Sequence, residues 1–111
     1  MPPGSTDDLQ YRLFKLLEEN PHLSQREIAQ ELGLSLGKAN YCLQELVQKG
    51  YVKVENFKKQ DNKRAYAYML TPEGMAEKAR VTRSFLARKL KEFKAMRKSI
   101  RELQKEVYPL A

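Results

Sequence analysis

The sequence of 111 residues has little of what disulfide-bonded, metal-binding or catalytic sites are built from. It contains one cysteine, Cys42, one histidine, His22, and no tryptophan. A single cysteine excludes an intramolecular disulfide framework and a multi-cysteine zinc site, so Cys42 is expected to be structural. His22 has no acid, nucleophile or second ligand at a recognisable spacing. We therefore expect neither an enzyme nor a metal or cofactor site.

The sequence also lacks a long apolar run. No stretch approaches the roughly 20 apolar residues that a membrane-spanning helix needs. The first 6 residues have neither the basic nor the apolar segment of a secretion signal. With 32% charged residues and a mean hydropathy of -0.69, we expect a soluble, cytoplasmic protein without a membrane partner.

Charge is distributed unevenly along the chain. Residues 1–56 hold 6 Lys/Arg and 8 Asp/Glu, whereas residues 57–111 hold 15 Lys/Arg and 6 Asp/Glu. The second half therefore carries a net charge of +9, against +7 for the whole chain. This asymmetry favours a polyanionic partner such as nucleic acid, although the positive charge would also suit an anionic membrane or an acidic protein.

Leucines at helical spacing predict a first helix that ends at Asn20-Pro21. They are Leu9, Leu13, Leu16 and Leu17. Asp7 and Asp8 supply the negative charge that favours a helix N-terminus. We expect residues 1–8 to form a flexible N-terminus ahead of the packed domain.

The next segment has the signatures of two helices joined by a tight turn. Ser24 and Glu27 have the spacing of a capping box, which predicts a helix from about residue 25 to 32. Gly33 can turn the chain, and Ser35 is a second N-cap before a helix of about 36–49. Two capped helices joined through a glycine are typical of a helix-turn-helix motif.

The second of these helices is amphipathic at 100° per residue. The face predicted to be buried consists of Leu36, Ala39, Leu43, Leu46 and Val47. The opposite, polar face consists of Gly37, Lys38, Tyr41, Gln44, Glu45 and Gln48.

A β-hairpin is predicted after Gly50. Residues 51–55 and 65–70 alternate with a period of two, as half-buried strands do. Between them lies the polar, basic segment 57–64, in which Asp61-Asn62 suits the centre of a turn.

From Thr71 the pattern predicts one long helix. Thr71 can cap it, Pro72 suits its first position, and no proline follows until Pro109, which allows up to about 37 residues. Apolar residues spaced 4, 3, 3, 4, 3 and 4 apart mark a coiled-coil seam with one irregular step. The seam consists of Leu86, Leu90, Phe93, Met96, Ile100, Leu103 and Val107.

These elements predict a mainly α (α+β) fold, a winged helix-turn-helix with a two-stranded wing and one long C-terminal coiled-coil helix. The winged helix domain would occupy residues 9–74 and the dimerisation helix residues 75–108. Residues 109–111 would form a tail.

The order of these elements resembles the MarR family of bacterial transcriptional regulators over roughly residues 9–76. The resemblance includes Gly-Tyr-Val at 50–52, Asp-Asn-Lys-Arg at 61–64 and Leu-Thr-Pro-Glu-Gly at 70–74. The short chain and lysine-rich tail are similar to the family's small branch named for its association with exopolysaccharide genes. The chain departs from most relatives in having one long C-terminal helix where they have further helices. The sequence does not indicate whether a small-molecule effector binds.

The resemblance implies a homodimer on double-stranded DNA, with the second helix of the motif in the major groove. The implied major-groove residues are Gly37, Lys38, Asn40, Tyr41 and Gln44. The implied backbone contacts are Ser24, Ser35, Lys58, Lys59 and Lys63. Arg64 would enter the minor groove with Asp61 beside it, and the dimer seam would be Leu86, Leu90, Phe93, Met96, Ile100 and Leu103.

Alternatives remain at this stage. The polar helix face could be ordinary solvated surface, and the wing cations could keep a hairpin edge soluble. Between residues 78 and 101 there are 10 Lys/Arg and one acid, which suggests phosphate or acidic-partner contacts by Arg80, Arg83, Arg88 and Lys89, or simply charged flanks of a coiled coil. The alternative function is a winged-helix adaptor that binds protein or RNA through the wing and the basic helix.

Overall fold

Four helices and two strands follow one another in the computed structural model, which describes residues 6–58 and 64–108. The helices are α1 (Thr6–Glu19), α2 (Gln25–Leu32), α3 (Leu36–Gln48) and α4 (Pro72–Val107). The strands β1 (Val52–Lys58) and β2 (Arg64–Leu70) form one antiparallel sheet. The predicted mainly α winged helix with a long C-terminal helix is thereby confirmed.

Local capping fixes the ends of the helices. The Ser24–Glu27 capping box begins α2, and Gly33 ends it in the left-handed conformation at φ 67°. The backbone N–H of Leu34 then donates to the Ala29 carbonyl at 2.9 Å, which turns the chain tightly into α3. The start of α1 differs from the expectation, since it begins at Thr6 and includes Asp7 and Asp8.

The hydrophobic core draws on every element. Its fully buried side chains include Leu13, Phe14, Leu17, Ile28, Leu43, Leu46 and Val81. Val52 and Tyr68 attach the sheet to this core, and the backbone N–H of Tyr68 donates to the Pro21 carbonyl at 3.0 Å. The hairpin therefore packs on the helix-turn-helix as one unit.

The strands are longer than the sequence predicted. Lys58 pairs with Arg64 at the last register position of the sheet, so residues 57, 58 and 64 belong to strands, although the loop had been predicted to span 57–64. The alternation signal ended early because Asn56 and Phe57 break the period of two. The part of the wing between the strands, residues 59–63, lies outside the described residues.

Helix α4 belongs both to the winged domain and to an arm. Its 36 residues have a length of about 54 Å, and the molecule extends over 73 × 26 × 24 Å. Val81 is fully buried in the core, and the ring of Phe85 stacks on Tyr11 of α1 with centroids 5.0 Å apart. The domain boundary predicted between residues 74 and 75 therefore falls inside α4, because the first four turns of this helix complete the core.

Candidate nucleic-acid interface

Helix α3 is presented to solvent by the helix-turn-helix geometry. Its N-terminus is capped by Ser35, whose Oγ accepts from the backbone N–H of Lys38 at 3.1 Å. Ala39, Leu43 and Leu46 anchor it in the core, each exposing no more than 2% of its surface. The opposite side of the helix is consequently held outward and rigidly supported.

The polar residues predicted for the major groove lie on or beside this outward face. Gly37, Lys38 and Gln44 are exposed, Tyr41 exposes 62% of its surface, and Asn40 is half-buried at the edge. The Lys38 ammonium lies 5.6 Å from the centre of the Tyr41 ring, a cation–π distance. These side chains form a continuous polar and aromatic surface.

At Leu36 the structure departs from the prediction for α3, and at Gln48 it agrees with it. Leu36 had been predicted to be buried but exposes 43% of its surface, because the first turn of α3 extends beyond the core. Gln48, which was predicted on the polar face but not included among the major-groove residues, is exposed one helical turn after Gln44 on the same face.

The two N-cap serines use their hydroxyl oxygens within the fold. Ser24 Oγ accepts from the backbone N–H of Glu27 at 3.1 Å, as Ser35 Oγ does from Lys38. Each hydroxyl proton can still be donated outward, since capping uses only the acceptor. Both residues are exposed at helix N-termini, where backbone N–H groups favour an anion.

The wing is described only in part. The backbones of Lys58 and Arg64 pair with each other, whereas their side chains lie outside the described part of the chain. Lys59, Asp61 and Lys63 lie outside the described residues altogether. The structure thus fixes where the two strands end.

Most cations of the first half of α4 pair with acidic residues of the same chain. Arg80 donates to Glu77 at 2.7 Å and lowers the pKa of that carboxyl, Arg88 pairs with Asp8 of α1, and Lys89 pairs with Glu92 at 3.2 Å. A fourth cation, Lys78, bonds Glu18 at 3.0 Å. Of the four candidates only Arg83 has no ion pair with a described residue.

The predicted seam is uncovered in the single chain. Its members each expose between 47% and 66% of their surface. They are Leu86, Leu90, Phe93, Met96, Ile100, Leu103 and Val107. A row of apolar side chains this exposed is unusual on a soluble monomer.

Cys42 lines a cleft of about 900 Å³ between α1, α3 and the middle of α4. Burial raises the pKa of its thiol, the charge of Lys38 partly opposes this increase, and Glu45 adds a smaller increase. The thiolate is therefore scarce near neutral pH, which fits a structural role better than a reactive one.

Within residues 6–58 and 64–108, no helix combines the length and apolar character that a bilayer span requires. The same ranges contain no cluster of three or more His, Cys, Asp or Glu side chains that could hold a metal ion.

Comparison with known proteins matches residues 6–53 to the family described as winged helix-turn-helix DNA-binding. No curated protein matches the chain in sequence. The structure of smu.1704 from Streptococcus mutans UA159 is similar at a TM-score of 0.69 and 18% identity, over 80% of this chain and 86% of that one.

Two solved regulators are also similar in structure. One is a MarR-family regulator from Rhodococcus sp. RHA1, at a TM-score of 0.62 and 19% identity over 91% of this chain and 74% of that one. The other is the transcriptional repressor CouR bound to a 23-mer DNA duplex, at a TM-score of 0.62 and 24% identity over 95% and 76%. The chain therefore contains a winged helix-turn-helix domain, with the fold that these regulators have.

Proposed function

We propose that the chain is a dimeric, sequence-specific DNA-binding regulator of transcription. The observation that carries this proposal is the outward face of α3, which is polar, exposed and rigidly held by a capped helix-turn-helix. The likeness to CouR, solved on a DNA duplex, and to the Rhodococcus MarR-family regulator supports it. We assign the chain to the MarR family, in its small exopolysaccharide-associated branch, acting in the cytoplasm.

In this proposal α3 lies in the major groove. The Gln44 amide can pair with both the N6 and N7 positions of adenine, and the Lys38 ammonium can donate to guanine. Asn40, at the edge of the face, offers the same amide chemistry as Gln44. Ser24 and Ser35 would donate to phosphates on either side of the groove.

The wing would contact the adjacent minor groove or the backbone. Arg64 at the start of β2 is proposed to enter the minor groove, where narrow A·T tracts attract an arginine, with Asp61 bracing it. Lys58, Lys59 and Lys63 would contact phosphates and contribute sequence-independent affinity.

Dimerisation would use the seam along α4. Burial of an exposed leucine or phenylalanine is worth roughly 1.5–3 kcal/mol before association costs, and the seam offers seven large apolar side chains. Two winged domains related by a two-fold axis would read half-sites about 34 Å apart, one turn of the duplex.

The test is a binding titration with genomic fragments, including the region upstream of the protein's own gene, followed by substitution of the α3 face. Gln44→Ala should weaken binding to the preferred site by about 1–3 kcal/mol and leave random duplex almost unchanged. Gln30→Ala, on an exposed turn of α2, is the matched control and should bind like the wild type.

Equal losses on specific and random DNA would refute base reading by α3. That result would favour an adaptor that binds protein or RNA through the wing and the basic helix. A wild type without any preferred fragment would refute the regulator itself.

A further inference from the structure

The outer half of α4 carries a row of cations that the winged domain does not use. From Lys89 to Tyr108 every residue of the chain is exposed. Within this segment, cations recur at spacings of 3, 4, 3 and 4 residues along one side of the helix. We call them the basic stripe: Lys91, Lys94, Lys98, Arg101 and Lys105.

No member of the basic stripe forms an ion pair or a side-chain hydrogen bond with any described residue. This distinguishes the stripe from Arg80, Arg88 and Lys89, whose charges are neutralised within the chain. Like charges at i, i+3 and i, i+4 repel one another along a helix. The only acidic residue three or four positions from a stripe residue is Glu102, which lies within one turn of Lys98 and Lys105.

The stripe would stay exposed when the seam is covered. Each stripe residue precedes a seam residue by two positions, as Lys91 precedes Phe93 and Lys98 precedes Ile100. Two positions correspond to roughly 160° around the helix, so the stripe lies nearly opposite the seam. Dimerisation through α4 therefore turns the stripe outward.

We propose that the basic stripe binds the phosphate backbone of duplex DNA without reading its sequence. The choice of DNA as the polyanion rests on the proposed function. The stripe contains no apolar side chain and four of its five members are lysines, whereas protein interfaces have an apolar core and are depleted in lysine. A membrane-binding amphipathic helix inserts its apolar face, and in the proposed dimer that face of α4 is buried in the seam, so only the stripe is left exposed.

The dimensions suit a duplex. The 14-residue separation between Lys91 and Lys105 corresponds to about 21 Å of helix, or roughly six base pairs at 3.4 Å each. Such a contact would hold the protein on DNA outside its specific site, or attach a second duplex segment to it.

The experiment measures the affinity of the full-length chain for a random-sequence duplex over a range of salt concentrations. The stripe variant is Lys94→Gln/Lys98→Gln, and the control variant is Arg12→Gln/Lys15→Gln, two exposed cations of α1 that give the same net charge. We expect the stripe variant to lower the salt slope by about 2 for each engaged arm and to raise the Kd on the order of tenfold or more near 0.1 M salt. The control should change neither quantity beyond the small effect of net charge.

Lys94→Arg/Lys98→Arg should restore wild-type affinity, because arginine also binds phosphate. Circular dichroism should show full helix content in both stripe variants, since Gln and Arg are good helix formers.

An unchanged Kd and salt slope in the stripe variant would overturn the inference. So would stripe-dependent binding to phosphatidylserine/phosphatidylcholine vesicles without stripe-dependent binding to the duplex. The two proposals can fail separately. If the wild type prefers one fragment and the stripe variant binds duplex DNA like the wild type, only the proposal for the stripe is refuted. Stripe-dependent binding to all sequences alike refutes only the regulator.

Discussion

Gly74 provides the sharpest test of the packing between α4 and the winged domain. It lies in the first turn of α4, fully buried against the backbone of Tyr51. On helix propensity alone, Gly74→Ala should stabilise the protein by up to about 1 kcal/mol. The structure predicts instead that Gly74→Ala lowers the free energy of unfolding.

The magnitude follows from the contact. An alanine Cβ at position 74 would lie 2.9 Å from the carbonyl carbon of Tyr51 and 3.2 Å from its Cα, with the carbonyl oxygen closer still. Backbone atoms cannot rotate away, so α4 would have to shift. That shift would strain the bonds from Thr71 to the carbonyls of Tyr51 and Gly50, at 3.1 and 2.6 Å. Overpacking costs about 1–3 kcal/mol and each of the two weakened hydrogen bonds about 0.5–1.5 kcal/mol, so after the propensity gain of up to about 1 kcal/mol a net loss of about 1–5 kcal/mol is expected.

The assay is urea unfolding followed by circular dichroism at a fixed protein concentration, because association would shift the midpoint. Gly37→Ala is the matched control: it also replaces a helical glycine, and no atom lies within 4 Å of the new Cβ. It should be neutral or stabilising by up to about 1 kcal/mol. A Gly74→Ala protein as stable as the wild type would refute the close approach of α4 to Tyr51.

Two further predictions concern assembly and the wing. Leu90→Lys places a charge within the exposed seam and should yield monomers by analytical ultracentrifugation. The winged domain should keep its fold, as judged by circular dichroism. A wild type that sediments at 13.0 kDa at micromolar concentration would contradict the dimer. Arg64→Ala should weaken DNA binding by roughly tenfold or more, as measured by fluorescence anisotropy, if this residue enters the minor groove. If Arg64→Ala bound DNA with unchanged affinity, its charge would serve only to keep the hairpin edge soluble.

The helix boundaries were predictable because capping is local. Ser24, Ser35 and Thr71 begin helices as expected, and Gly33 adopts the left-handed conformation that its position required. In each case the signal and the structure that it specifies lie within about four residues of each other. The candidate interface on α3 could be located for the same reason, from the periodicity of one helix.

Contacts between distant segments were not predictable. Phe14 and Val81 are both fully buried, but the periodicity of α4 draws attention to its seam and not to the face that carries Val81. The Ser84 hydroxyl donates to Asp7 at 3.0 Å across 77 residues of sequence, and no local pattern encodes that pair. The sequence likewise shows how many cations α4 carries, but not which of them pair with acidic residues of α1.

Helix α4 is an arm that is anchored in the winged domain at one end. The root of this arm, at Val81 and Phe85, packs against the domain, and no glycine or proline interrupts the helix between residues 75 and 107. Beyond Arg88 the free part measures about 29 Å, so a tilt of about 10° at the root displaces the tip by about 5 Å. In the proposed dimer, whose seam begins at Leu86 next to this root, a change in side-chain packing at the root would tilt each winged domain relative to the paired helices and change the separation of the two α3 helices. In that dimer, the spacing of the two DNA half-sites would depend on the packing of a few residues between α1 and α4.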